Sequence, residues 1–220
     1  MVSIVMATEL LIIGTGGLAR EAAQLARQID PDAIRWNQIS FVAEDHSSVG
    51  QRFSHGEIRF TDAKLHSYVA NADVVIGIGN PKVRREIAQS LSDHSKFSFP
   101  NLIHPSVDIE SICVRMGQGN LVTKGVVVTC DIEIGDFNVI NWNSTIGHDV
   151  SIGSYNVINP GCNLSGHVSV GDECLIGTGT QVLEHLVIVG GVIVGAGSVV
   201  TRSLVDRGTY FGIPARQKVC

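Results

Sequence analysis

A histidine and an aspartate stand side by side in the segment NSTIGHDVSIG, residues 143–153, whose other residues are small, hydroxylated or aliphatic. A histidine accepts a proton near neutral pH, and a neighbouring carboxylate can fix its tautomer. His148 and Asp149 are therefore candidates for a general base and its orienting partner. Asn141, seven residues earlier, is a candidate contact for a substrate's polar groups. Without a serine-elbow or active-cysteine motif, direct group transfer is favoured over a covalent enzyme intermediate.

A glycine-rich loop, LLIIGTGGLAREAAQLA, places Gly14, Gly16 and Gly17 between an apolar run and a helical pattern. Such a loop turns backbone N–H groups and a helix N-terminus toward an anion, and a pyrophosphate fits there. Read as G-x-G-x-x-A, ending at Ala19, the string also suits NAD. Taken alone it is a weak motif.

Polar residues follow two further apolar runs, at the carboxyl ends where open parallel sheets bind ligands. Glu44 and Asp45 come after ISFVA, and Asn80 ends ADVVIGIGN. The two acids suit a ribose or a uracil edge. An ordinary acidic turn explains them equally well.

The secondary-structure elements that must position these residues show two different sequence patterns, one in each half of the chain. From Leu10 to about Phe99, strand-like runs alternate with helical patterns, which predicts a parallel sheet with crossover helices. Aliphatic residues then recur every six positions, which predicts a triangular parallel solenoid with 18-residue coils stacked about 4.8 Å apart. The fifteen positions in register are Met116, Val122, Val128, Ile134, Ile140, Ile146, Ile152, Ile158, Leu164, Val170, Ile176, Val182, Ile188, Val194 and Val200.

The 18-residue coil aligns three histidines, His148, His167 and His185, along one edge of the solenoid. Solvated corner residues are the commoner fate of such histidines, and we expect it for the second and third. Stacked imidazoles can also bind zinc. We predict no metal, because no carboxylate or cysteine accompanies the three at zinc spacing.

The composition of the chain bears on its partners, its cellular location and the state of its cysteines. The net charge of −5 comes without a Lys/Arg block, so nucleic acid is not expected as a partner. The first residues lack a basic n-region and a cleavage site, and no apolar run is long enough to span a bilayer, which predicts a cytoplasmic protein. The five cysteines form no CxxC pair, and we expect small, reduced core residues: Cys113, Cys130, Cys162, Cys174 and Cys220.

Together these motifs resemble the sialic acid O-acetyltransferase and UDP-4-amino-sugar N-acetyltransferase family, hexapeptide-repeat acyltransferases with an N-terminal Rossmann-like domain. The resemblance runs from IIGTGGLAREAAQLA through GIGNPKVRREIA, NLIHPS, IGHDVSIG and NPGCNLSGHVSVG to GIPAR. It implies α/β plus all-β architecture: a Rossmann-like nucleotide-sugar-binding domain over residues 1–103, a left-handed parallel β-helix over 104–202, and a C-terminal extension over 203–220.

The resemblance also implies roles for individual residues. His148 and Asp149 are the general base and its orienter, and Asn141 contacts the sugar. The nucleotide sugar is bound by the glycine loop and the strand ends: Gly14, Thr15, Gly16, Gly17, Glu44, Asp45 and Asn80. Acetyl-CoA, the co-substrate, lies along the β-helix between subunits of a homotrimer, near Gly166, His167, Gly212, Pro214, Ala215 and Arg216.

One position departs from the family pattern. Many relatives carry a second histidine nine residues after the first, near the thioester, and this chain has Val157 there. A backbone amide or the adjacent Asn156 is left to hold the acetyl carbonyl.

The function expected from these features is acetyl-CoA-dependent N-acetylation of a UDP-linked amino-deoxy sugar, made for a surface glycan such as lipopolysaccharide or O-antigen. No permanently bound cofactor is expected. Three alternatives stay open: a sugar O-acetyltransferase, a trimeric β-helix hydro-lyase with zinc on the edge histidines, and a nucleotide-sugar-binding protein without turnover.

Overall fold

The structure is a computed structural model that describes residues 8–110 and 112–218. The prediction about a targeting segment rests partly on residues 1–7, and these, like Cys220, lie outside the described residues. Within the described ranges, no helix is both long enough and apolar enough to cross a membrane.

A six-stranded sheet forms the N-terminal domain, and its strands are parallel apart from one edge strand. Its elements are β1 (Thr8–Ile13), α1 (Gly17–Ile29), β2 (Trp36–Ala43), β3 (Arg52–Phe53), β4 (Gly56–Thr61), β5 (Ala72–Ile76), α2 (Pro81–Leu91) and β6 (Phe97–Ser98), with 3-10 turns at His46–Ser48 and Asp62–Ser67. The strand order is β3-β4-β2-β1-β5-β6. The β3–β4 hairpin was not predicted, because β3 has two residues and β4 mixes polar and apolar residues in place of a continuous apolar run.

Small residues let the first helix pack closely on the sheet. The face of α1 that Ala19, Ala23 and Ala26 share is fully buried. A Cβ on Gly77, just after β5, would lie 2.6 Å from Ala19 Cα, closer than real atoms approach. The Ala–Gly contact therefore fixes how near the glycine loop before α1 comes to the end of β5.

The second domain is a β-helix of two- and three-residue strands with three faces. In order, its strands are β7 (Leu102–Ile103), β8 (Val114–Met116), β9 (Leu121–Val122), β10 (Val127–Val128), β11 (Ile132–Ile134), β12 (Val139–Ile140), β13 (Thr145–Ile146), β14 (Ser151–Ile152), β15 (Val157–Ile158), β16 (Asn163–Leu164), β17 (Ser169–Val170), β18 (Leu175–Ile176), β19 (Gln181–Val182), β20 (Val187–Ile188), β21 (Ile193–Val194), β22 (Val199–Val200), β23 (Thr209–Phe211) and β24 (Arg216–Gln217).

From β8 to β22, strands of successive coils pair in parallel, so residues 18 apart in sequence are neighbours, as in the pairing of Thr145 with Asn163. The first face contains β7, β9, β12, β15, β18, β21, β23 and β24, the second β10, β13, β16, β19 and β22, and the third β8, β11, β14, β17 and β20. All fifteen positions of the six-residue period lie in or against one hydrophobic core. The predicted fold class is confirmed.

Corners of the β-helix tolerate little bulk where coils stack. A Cβ on Gly135 would lie 2.8 Å from the carbonyl oxygen of Gly153, the equivalent glycine one coil later. Most corners also contain one residue with positive φ, among them Asp131, Asp149, His167 and His185. These left-handed residues turn the chain through each corner.

A ladder of buried asparagines supports the corner between the third and first faces, which we call the asparagine corner (Asn120, Asn138 and Asn156). Each side chain is fully buried. Asn120 Oδ1 accepts a 2.8 Å hydrogen bond from the Asn138 N–H, and Asn138 Oδ1 accepts another from the Asn156 N–H. These bonds satisfy backbone donors that the turn leaves unpaired inside the protein.

The two domains share a hydrophobic core. Outward-facing residues of the first face, including Leu121, Val139 and Val157, pack with the apolar residues of α1, β1 and β2. Arg84 of α2 is fully buried and donates to Phe137 O of the β-helix at 3.0 Å and to Ile76 O of β5 at 2.6 Å. Burial lowers the pKa of Arg84 to about 9.

The cysteines lie in different environments. Cys162 and Cys174 are buried and free, as predicted, and burial raises the pKa of Cys162 to about 11. Cys113 is partly buried. The prediction of a core position is wrong for Cys130, which is exposed because it lies on the outer side of a corner, one coil before His148.

Candidate active site

The corner between the second and third faces carries the predicted catalytic residues, and we call it the histidine corner (His148, Asp149, His167 and His185). Asp149, His167 and His185 occupy equivalent left-handed positions, with φ of 58°, 59° and 62°. Because these positions repeat every 18 residues, their side chains form a column on the surface. The repeat therefore aligns Asp149, and not His148 as expected, with His167 and His185, and His148 stands one residue before the column.

His148 and Asp149 are in direct contact. His148 Nδ1 lies 2.8 Å from Asp149 Oδ2, although neighbouring side chains on an extended strand point apart. The left-handed turn at Asp149 makes the contact possible. Because an ionised carboxylate only accepts hydrogen bonds, Nδ1 must carry the proton, which leaves the Nε2 lone pair as the acceptor.

The carboxylate of Asp149 lies between two imidazoles. His167 Nε2 lies 3.7 Å from Asp149 Oδ2. The hydrogen bond from His148 lowers the pKa of Asp149 below its ordinary value, and the charges of His167 and His148 add to the shift. The expectation that no carboxylate accompanies the edge histidines at zinc spacing is therefore wrong, because the fold brings Asp149 close to two of them.

The three imidazole rings contact one another in sequence. His148 and His167 meet edge to face, with ring centroids 5.1 Å apart. His167 and His185 stack in parallel, with centroids 4.5 Å apart. His148, Asp149 and His167 each remain about half exposed, so a substrate in solution can reach them.

Gly166 leaves the space that the His148 ring occupies. A Cβ at this position would lie 2.5 Å from Cε1 and 2.6 Å from Nε2 of His148. His148 Nε2 therefore lies against the backbone of the next coil. The sequence prediction assigned Gly166 to acetyl-CoA, and the structure places it beside the ring of His148.

Asn141 lies at the next corner, between the first and second faces, with strand β13 separating it from His148. Its side chain is buried, and Oδ1 has no hydrogen-bond partner among the described residues. A buried carbonyl oxygen without a partner is costly, and a donor on a ligand would satisfy it.

The structure does not bring Asn156 or Val157 to the histidine corner. Asn156 is fully buried, and its Oδ1 accepts a 2.7 Å hydrogen bond from the Cys174 N–H as part of the asparagine ladder. Val157 is buried in the shared core of the two domains. Of the two candidates for the acetyl carbonyl, a backbone N–H near His148 is the one that this geometry leaves.

The C-terminal residues predicted to bind acetyl-CoA pack at the far end of the second face. Ala215 is buried and donates its N–H to Val199 O of β22 at 2.8 Å, and the Gly212 N–H donates to Ser198 Oγ. Pro214 and Arg216 are exposed. β22 lies three strands from β13 on the second face, roughly 14 Å at the ordinary strand spacing.

A cleft of about 720 Å³ opens at the carboxyl edge of the N-terminal sheet. Its walls include the whole predicted loop, Gly14, Thr15, Gly16 and Gly17, and also Glu44. Gly14 has a φ of 106° and lies against Gly77, so its backbone demands glycine. A Cβ on Gly16 or Gly17 would meet no protein atom within 4 Å, so these two glycines face open space.

Two predicted ligand residues near the cleft already have local partners. Asp45 accepts hydrogen bonds from the N–H of Ser47 at 2.9 Å and from its hydroxyl at 2.7 Å, and so caps a 3-10 turn. Asn80 caps α2 by accepting from the Val83 N–H. Both lie outside the set of residues that line the cleft.

Sequence reasoning missed Asp62 and His66, which line the cleft from the 3-10 turn after β4. Their signal was the alternating segment GEIRFT, which reads as a strand whose carboxyl end joins the same sheet edge. Without that strand, the sequence pattern does not place Asp62 and His66 at the sheet edge.

Comparison with known proteins agrees with this architecture. Residues 9–91 match the family described as the PglD N-terminal domain. No curated protein sequence matches the chain.

Three solved structures are similar over almost the whole chain. The acetyltransferase domain of PglB from Neisseria gonorrhoeae FA1090 is 28% identical, with a TM-score of 0.88 over 96% of this chain and 99% of that one. PerB from Caulobacter crescentus, solved in complex with CoA and GDP-perosamine, is 29% identical, with a TM-score of 0.83 over 96% and 97%. WeeI from Acinetobacter baumannii AYE is 27% identical, with a TM-score of 0.83 over 96% and 100%.

These findings confirm the resemblance to sugar N-acetyltransferases of the hexapeptide type. The chain is an acyltransferase. The acetyltransferase domain of PglB has also been solved in complex with acetyl-CoA, the expected co-substrate.

Proposed function

We propose that this acyltransferase transfers the acetyl group of acetyl-CoA directly to the amino group of a UDP-linked amino-deoxy sugar, a precursor of a surface glycan. The observation that carries the proposal is the 2.8 Å contact between His148 Nδ1 and Asp149 Oδ2 on an exposed corner. An amine that attacks a thioester must lose a proton. The pair supplies an accessible acceptor whose tautomer is fixed.

In the proposed reaction the neutral amine attacks the thioester carbonyl carbon, and His148 Nε2 accepts the proton that the amine loses. The tetrahedral intermediate collapses, the carbon–sulfur bond breaks, and the imidazolium returns its proton to the leaving CoA thiolate. Asp149 stabilises the imidazolium while it exists. A backbone N–H near the corner holds the developing oxyanion.

The nucleotide part of the acceptor belongs in the N-terminal cleft. The free space around Gly16 and Gly17 lies at the N-terminus of α1, where backbone N–H groups favour a pyrophosphate. Glu44 lies at the same edge and can accept from a ribose hydroxyl or a base N–H. The GDP-perosamine bound to PerB supports a nucleotide sugar and makes guanine the rival base.

A product assay tests the chemistry. Purified protein is incubated with acetyl-CoA and a UDP-4-amino sugar, and thiol release and product mass are measured, with a GDP-linked amino sugar in parallel. We expect one added acetyl group that resists mild hydroxylamine, because an amide does and an ester does not. UDP-N-acetylglucosamine, which offers only hydroxyl groups, is the matched control. A hydroxylamine-labile product would establish O-acetylation, and binding without thiol release would establish a non-catalytic protein.

Calorimetry tests the nucleotide site separately. Gly16→Leu should abolish UDP binding with little change in the melting temperature, because a Cβ there meets no protein atom within 4 Å and a larger side chain extends into the space assigned to the pyrophosphate. Tighter binding of GDP than of UDP would replace uracil by guanine as the proposed nucleobase. Tight NADH binding without UDP binding would overturn the nucleotide-sugar assignment.

We also propose that the working form is a homotrimer. The N-terminal domain covers the first face only, and apolar residues on the outer side of the rest of the β-helix are exposed, including Val127, Leu183 and Val187. A neighbouring subunit would cover them. Sedimentation should give three chains per particle, and a fully active monomer would contradict the trimer.

A further inference from the structure

We infer that the histidine corner is also a binding site for a divalent transition metal such as zinc, held by His148, Asp149 and His167, and that occupancy reversibly blocks the general base. Metal binding follows from the geometry of the side chains alone. The inhibition rests on the proposed function.

The donor atoms are already close to the separations that a metal requires. One ligand atom from each of His148, Asp149 and His167 lies within 4.8 Å of the others. Oδ2 of Asp149 is 2.8 Å from His148 Nδ1 and 3.7 Å from His167 Nε2. Three donors around a tetrahedral zinc, each about 2.1 Å from it, lie roughly 3.4 Å apart. Small rotations of exposed side chains are enough to reach that arrangement.

The chemistry of the donor set selects the metal. Two imidazoles and one carboxylate suit zinc and its neighbours in the first transition row, whereas magnesium prefers oxygen donors. All three side chains are exposed, so an ion can enter and water can complete its coordination. The left-handed backbone at Asp149 and His167 places two of the three ligands in one column. Gly166, next to His167 in sequence, has no side chain to displace the ring of His148.

His185 belongs to the column and stands outside the donor set. Its ring stacks in parallel on His167, with an angle of 9° between the planes, and neither of its nitrogens belongs to the group of donor atoms. It is therefore a matched control for the ligand histidine, since both occupy equivalent left-handed corner positions and stand one coil apart.

Metal binding and proton acceptance exclude each other at this corner. The ion would use Asp149 Oδ2, the oxygen that accepts from His148 Nδ1, and would replace that hydrogen bond with coordination. A metal-bound imidazole beside a cation has no basic lone pair for the attacking amine. The metal is thus an inhibitor here, in contrast to a zinc hydro-lyase, in which it would be required for turnover.

The first experiment measures zinc binding without reference to activity. Chelator-treated protein is titrated with zinc chloride in a calorimeter, and magnesium chloride is the negative control. We expect one zinc per chain, at least tenfold weaker binding in His167→Asn, and less than twofold change in His185→Asn. Absence of binding at millimolar zinc, or equal loss in both variants, would overturn the inference.

The second experiment measures inhibition. Zinc at its dissociation constant should halve the rate of acetyl transfer by the unmodified protein, and EDTA should restore it. If no acceptor supports any acetyl transfer, the proposed function fails while the calorimetric result still decides the metal site. Zinc-dependent stimulation of any turnover would overturn the inhibitory role.

Discussion

Two corners of the same β-helix use polar residues in opposite ways. At the asparagine corner, Asn138 and Asn156 point into the protein, and their amides satisfy backbone N–H groups one coil later. At the histidine corner, the corresponding inward position is Val150, which is buried in the core, and the polar residues His148 and Asp149 face solvent. The backbone turn is similar in both cases.

The comparison shows how the direction of a polar side chain decides whether it stabilises the fold or stays accessible to a substrate. An inward asparagine has every surface covered, so its hydrogen bonds stabilise the fold and no substrate reaches it. An outward residue at the left-handed position keeps its functional atoms free, as at Asp149. Substitutions at the two corners should therefore change different measured quantities.

The largest effect is expected for His148→Asn. Loss of the general base should lower kcat by about 10²–10⁴-fold, equivalent to about 3–5 kcal/mol, with nucleotide-sugar and CoA affinity nearly unchanged. Stability should stay the same, because the ring is half exposed. Steady-state thiol release measures kcat, and calorimetry measures the affinities for the nucleotide sugar and CoA. A variant that keeps most of its kcat would remove the general-base role.

Asn138→Ala should destabilise the protein by about 2 kcal/mol, because it leaves the buried N–H of Asn156 without an acceptor. Denaturant unfolding measures the loss. Asn163→Ala is the control: that side chain lies on the outer side of the second face and bonds to Thr145 and Gln181, so we expect less than about 1 kcal/mol. Equal losses would contradict the distinction between inward and outward amides.

Gly166→Ala should lower kcat by about tenfold, because its Cβ displaces the His148 ring from a position 2.5 Å away. The melting temperature should change little, since an exposed side chain can rotate aside. CoA affinity is measured separately, because Gly166 is also a predicted CoA contact. An unchanged kcat would show that the ring position does not control the reaction.

The smallest effect is expected for Asp149→Asn, about three- to tenfold in kcat, since an amide oxygen still accepts from Nδ1 but supplies no charge. The hydrogen bond from His148 lowers the pKa of Asp149 from its ordinary 3.8. The carboxylate therefore stays ionised from neutrality down to about pH 5, and the charge that the variant lacks is present throughout this range. Steady-state thiol release near neutral pH measures the loss, and an unchanged kcat would show that the charge of Asp149 does not contribute to the reaction.

The repeat made the β-helix predictable, because one inward aliphatic every six residues has few other structural solutions. The pairing of His148 with Asp149 was also open to sequence reasoning, although the left-handed φ that brings them together was not. The closeness of His167 to Asp149 was less visible, because residues 18 apart in sequence become neighbours only when the coils stack.

Asn156 illustrates what the sequence could not show. Its proximity in sequence to the expected second histidine position made it a candidate for the acetyl carbonyl. The direction of its side chain depends on its place in the turn, where the ladder through Asn138 needs an inward amide. In the N-terminal domain, Asp62 and His66 were missed for a related reason, because their place at the cleft depends on an unassigned strand.

The claim that the asparagine corner stabilises the fold and the histidine corner carries out the reaction is tested most directly on wild type, His148→Asn and Asn138→Ala. Both kcat and the free energy of unfolding are measured on the same preparations. The predicted result is a crossed pattern: His148→Asn loses about 10²–10⁴-fold in kcat at unchanged stability, and Asn138→Ala loses about 2 kcal/mol of stability with kcat within twofold of wild type. Parallel losses of both quantities in both variants would contradict it.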